Sequence, residues 1–121
     1  KSEVAELMRR LLLAGGVVVA AASGDIAAKE REALEKFFGA GSCAAVNVEA
    51  LRKDLPRRAA DVKAKVPLLK RQQVVRDLCT IARADALVED AEKAVLNELA
   101  AAVGVDAAFV ERALSSSVTL D

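Results

Sequence analysis

Apolar residues at Val4, Leu7, Met8, Leu11, Leu12, Val18, Val19 and Ala22 keep helical spacing, and Leu13, Ala14, Gly15, Gly16 and Val17 fill the gaps. The second half of this segment therefore has no polar face. A helix that is apolar all round belongs at the centre of a fold. Gly15-Gly16 would each cost roughly 1 kcal/mol against Ala in a helix, a cost that close approach of a neighbouring helix would offset; a kink is the alternative. The break Ser23-Gly24-Asp25 follows. Residues 27–39 then set Ala33, Leu34, Phe37 and Phe38 against Lys29, Glu32, Glu35 and Lys36, an amphipathic pattern closed by Gly39.

The same logic places the remaining helices. Residues 39–43, Gly-Ala-Gly-Ser-Cys, read as a loop, and Asn47 as the N-cap of a helix over 48–65 interrupted at Pro56. Pro67 suits the first turn of a helix reaching about residue 84, with Leu68, Leu69, Val74, Val75, Leu78, Cys79, Ile81 and Ala82 expected inward. A further amphipathic helix spans 89–103 and closes at Gly104. Asp106 caps a last one over 107–115, ahead of a frayed Ser-rich end. No segment alternates with period two for long enough to form a strand, so the fold class is all-α.

Shifting the chain by 62 residues pairs Leu12 with Val74, Leu13 with Val75, Val19 with Ile81, Ala22 with Ala84, Ile26 with Val88, Glu30 with Glu92 and Leu34 with Leu96. A hydrophobic helix, a short break and an amphipathic helix thus occur twice, in halves of about 5–45 and 67–115. Two such halves can pack face to face about a pseudo-twofold axis. The length of 121 residues is that of one domain. Lys1 in place of an initiating Met hints at a trimmed chain or an excised domain.

The breaks read Ala22-Ser23-Gly24-Asp25-Ile26-Ala27-Ala28-Lys29-Glu30 and Ala84-Asp85-Ala86-Leu87-Val88-Glu89-Asp90-Ala91-Glu92. With the downstream segment 102–109, they resemble the tellurite-resistance TerB-like family, whose repeated signature is Ala/Ser-Asp-Gly-x-Ile/Val-x-x-x-Glu. The resemblance covers roughly residues 5–115. It implies a single-domain bundle of about six or seven helices, with a divalent cation chelated by the acids near the breaks. Gly24 and Glu30 match in the first copy, where Ser23 replaces the aspartate. Asp85 and Glu92 match in the second, where Ala86 replaces the glycine.

On this reading Asp85, Glu89 and Glu92, with Glu30 from the facing copy, form an acidic cluster for a weak Ca²⁺ or Mg²⁺ site, waters completing the shell. The spacing is not that of an EF-hand. The competing reading is structural: a carboxylate near a helix N-terminus gains ~0.3–1 kcal/mol from the dipole without any ion.

Charge adds one feature. Lys plus Arg and Asp plus Glu are equal at 18 each, yet nine cations and two acids fall between Arg52 and Arg76, a local balance of +7. That basic segment, 52–76, suits an acidic protein partner or an anionic surface, or is a solvated helix face. Zero net charge, three Phe and no Tyr or Trp argue against nucleic acid. The uncharged run 11–22 is twelve residues, short of the ~20 needed to span a bilayer, so no transmembrane segment is expected. It has the length of a signal-peptide core, but the chain continues into a helix instead of a cleavage site.

The chemistry of enzymes is largely missing. There is no His, and no phosphate loop or nucleophile elbow appears, so catalysis is not expected. Ser115, Ser116 and Ser117 have no base nearby. Cys43 is a loop thiol, Cys79 falls at an inward helical position, and neither sits in a metal or disulfide pattern, which points to a reducing, cytoplasmic compartment. Two functions remain: a non-catalytic module that binds a partner protein or membrane surface, in a stress response or within a larger protein, and a binder of metal or a small ligand at the acidic corners.

Overall fold

The computed structural model describes residues 2–22, 24, 28–39, 47–85 and 88–115. Among them the chain forms six α-helices and one 3-10 turn, with no strand: α1 (Ser2–Ala21), α2 (Ala28–Phe38), α3 (Val48–Lys65), α4 (Leu68–Ala82), the turn Arg83–Asp85, α5 (Asp90–Ala102) and α6 (Ala107–Ser115). The all-α class and the helix count agree with the sequence pattern. Ser23 and Asp25 of the first break, and the loop bearing Cys43, lie outside the described residues.

α1 is the central element. Its residues from 11 to 20 are buried except for the half-buried Leu13, and the helix packs against α2, α3, α4 and α5. A core this poor in aromatic rings has to bring helix axes close, because Ala and Val reach only a short way from the backbone. Gly15 and Gly16 permit that approach. A methyl added to Gly15 would lie 3.1 Å from Leu78 Cδ2 and 3.2 Å from Leu99 Cδ1; one added to Gly16 would lie 2.7 Å from Leu34 Cδ2 and 3.2 Å from Ile81 Cδ1. The glycine pair therefore seats leucine and isoleucine side chains from α2, α4 and α5. Close approach, not a kink, accounts for it.

Caps fix the helix ends where the sequence placed them. Asn47 Oδ1 accepts the amide of Ala50 at 3.0 Å to start α3, and Asp106 Oδ1 accepts that of Ala108 at 3.0 Å to start α6. Gly24 closes the turn after α1 through its amide on the Ala21 carbonyl, at a φ of 125° that favours glycine.

Two expectations are corrected. α3 is not interrupted at Pro56 but runs through it. Pro56 and Arg52 are both exposed, so solvent can reach the acceptor that the missing N–H leaves, while buried Leu55, Ala59 and Val62 hold the helix on both sides of the ring. Leu68 and Leu69 do not point inward: they are 47% and 79% exposed. Leu69 falls off the stripe of Val74, Val75 and Leu78, and Leu68, though in register with Val75, sits in a first turn that precedes the packed part of α4.

Replacing Gly16 with Val should lower stability by about 2 kcal/mol, because the buried Leu34 and Ile81 must shift to admit it. For a domain of this size that is a fall of roughly 6–10 °C in melting temperature. An unchanged or raised melting point would show that the seam has slack.

Candidate functional site

The two corners carry the only buried charged side chains among the described residues, Glu30 at 1% and Glu92 at 2% exposure. Each is the third residue of its helix, Glu30 in α2 and Glu92 in α5. That position faces the unsatisfied amides of the first turn, in the positive end of the helix dipole. In the second corner the bond is explicit: Glu92 Oε1 accepts the amide of Glu89 at 3.1 Å, the backward arm of a capping box. Burying a carboxylate is costly unless such bonds replace its water. Glu92 therefore closes the start of α5.

The other candidate ligands are placed differently. Glu89 is the exposed residue ahead of α5. Asp85 ends the turn Arg83–Asp85, and its side chain lies outside the described residues. α2 packs against that turn, so the helix bearing Glu30 does meet the corner bearing Asp85. Among the described residues, however, no three acids or thiols gather in a way that could hold a metal ion. Ca²⁺ needs six to eight oxygens and Mg²⁺ an octahedron, so the described residues alone do not fit either.

The basic segment separates into structural and exposed cations. Asp54 takes Arg57 Nε at 2.8 Å and Arg58 Nε at 2.7 Å, and these bonds hold its carboxyl down to about 2. Arg58 also donates to the Arg10 carbonyl at 2.9 Å, tying α3 to α1. Lys65 pairs with Glu3 at 3.2 Å. Arg71 donates to the carbonyls of Val66 at 2.9 Å and Val103 at 2.6 Å, joining the α3–α4 corner to the end of α5. Nothing in its sequence position signals that role. Arg52, Lys53, Lys63, Lys70 and Arg76 are exposed and make no ion pair among the described residues.

Cys79 is buried, and burial pushes its thiol up to about 12, which leaves it inert as a nucleophile.

Glu30 and Glu92 are thus each a buried acid at the third position of a helix. The family model described as tellurite resistance protein TerB matches residues 9–115. The chain belongs to the TerB family. The matched span takes in both corners and the buried half of α1. Neither the curated proteins nor the solved structures offer a match. In this TerB chain no helix among the described residues is long and apolar enough to cross a membrane.

Glu92→Ala should cost about 1–3 kcal/mol in urea unfolding, since the partly buried Glu89 amide loses its acceptor and the buried Glu92 side chain leaves a gap. Glu92→Gln keeps an oxygen for that amide and should restore most of the loss. Equal destabilisation by both would mean that the charge, not the hydrogen bond, is what the corner needs.

Proposed function

We propose that the chain is a non-catalytic TerB module that binds a partner protein or an anionic membrane surface through the exposed cations of α3 and α4, in a stress or tellurite-resistance setting or as a domain of a larger protein. One observation carries this reading. Of the nine cations between residues 52 and 76, five are exposed and make no ion pair among the described residues, whereas Glu30 and Glu92 at the corners are buried. Uncompensated charge on an exposed face raises the encounter rate with an oppositely charged surface and costs little when it docks. The complete lack of His also supports a binding role over acid–base catalysis.

Charge reversal of Arg52, Lys53, Lys63, Lys70 and Arg76 tests it, with binding followed by pull-down and by sedimentation with anionic vesicles. The reading predicts loss of binding with an unchanged melting temperature. Binding that survives in every assay would reduce these cations to solvated surface.

A second reading, a weak divalent-metal or small-ligand site at the corners, has the burial of Glu30 and Glu92 in its favour. It requires further oxygens, from Asp85 or from water, to complete a shell. A ligand specific to the folded state raises the melting temperature, by an amount equivalent to about 2.7 kcal/mol at a hundred times its Kd. Millimolar Ca²⁺ or Mg²⁺ should raise the melting temperature if this reading holds, and Glu92→Gln should abolish the rise. No rise with either ion would remove it.

A further inference from the structure

The corner between α3 and α4 presents a different surface from the rest of the molecule. Leu68 and Leu69 are the exposed large hydrophobic residues of the described chain, at 47% and 79%. They are adjacent, and Cα–Cβ bonds in a helix tilt toward its N-terminus, so these first-turn side chains lean past the end of α4. The result is a convex apolar knuckle. Beside it, Val4, Ala5, Met8, Pro67 and Lys70 line an open groove that continues the apolar surface onto α1. Lys70 lines that groove, and Lys63 and Lys65 are exposed in the last turn of α3 just before Pro67, Lys65 paired with Glu3.

We propose that this corner docks the protein on an anionic lipid bilayer, with Leu68 and Leu69 entering the headgroup boundary and Lys63, Lys65 and Lys70 facing the lipid phosphates. The inference deepens the surface-binding reading above and rests on it. Shape and charge together select the occupant. A protruding pair of leucines needs a pocket on a protein partner, whereas the acyl boundary of a bilayer accepts a convex apolar tip without one. Lysines at the rim suit the same boundary, because their stems lie along apolar surface while the ammonium groups stay at phosphate level. Neither contribution suffices alone: two leucines give weak partitioning, and a few cations give salt-sensitive adsorption. Their coincidence at one corner makes the binding both apolar and electrostatic.

The test is co-sedimentation of the full chain with vesicles of phosphatidylcholine alone and of phosphatidylcholine mixed with phosphatidylglycerol, at low and high salt. Wild-type protein should bind the mixed vesicles, bind the neutral ones poorly, and release as salt rises. The double variant L68Q/L69Q should bind at least about tenfold more weakly while staying folded, with a melting temperature within a few degrees of wild type, since Leu69 is 79% and Leu68 47% exposed in the free protein. Each of K63Q and K70Q should cost roughly fivefold.

No binding to mixed vesicles, or binding indifferent to the leucine pair, overturns the proposal. If charge reversal abolishes binding to a protein partner while vesicles never bind, bilayer docking falls and the broader reading stands. A dimer of the wild-type chain that L68Q/L69Q converts to monomer would instead assign the corner to a second copy and overturn the proposal as well.

Discussion

The structure depends on the contact between the glycine pair of α1 and the leucine and isoleucine tips of α2, α4 and α5. With only three Phe in 121 residues, the core has few large rings to bridge wide gaps between helices. Stability must come from many short contacts at high density, and density requires that some backbone approach a side chain with no Cβ in between. Gly15 and Gly16 supply that backbone at the point where three helices converge on the fourth. Their intrinsic helix penalty is offset by the packing they allow, which is why two of the least helix-prone residues sit in the most deeply buried helix.

Once α1 is enclosed, the corners become the places where the chain must turn sharply without leaving orphaned amides inside. Glu92 closes one such start from within, through the Glu89 amide. Arg71 does the complementary task for carbonyls, holding the ends of α3 and α5 with one guanidinium. Both interactions are partly buried. Both belong to the framework, and Glu92 shows that a motif acid can serve the start of its own helix. A functional reading therefore shifts to the cations and the two leucines left outside.

Much of this was legible in the chain. The all-round apolar stretch announced a central helix, the adjacent glycines a close approach, and Asn47 and Asp106 their caps, because each of those signals acts locally. The failures share one cause. Pro56 signals a break because its local penalty is large, but the buried stripe on both sides of it decides the outcome. Leu68 and Leu69 pattern as core because hydrophobicity alone does not tell the first turn of a helix from its packed middle. The role of Arg71 depends on a carbonyl 32 residues away, which periodicity cannot see. At the second acidic corner the structure shows Glu92 capping its own helix, the structural alternative to a ligand role.

Packed against α2, α3, α4 and α5, α1 cannot leave its place without the whole core opening. Native-state hydrogen exchange measures this directly. The amides of Val17, Val18, Val19 and Ala20 should exchange only through global unfolding, with the same opening free energy as the most protected amides of α4. Exchange of those four amides through a smaller, local opening while α4 stays protected would contradict it.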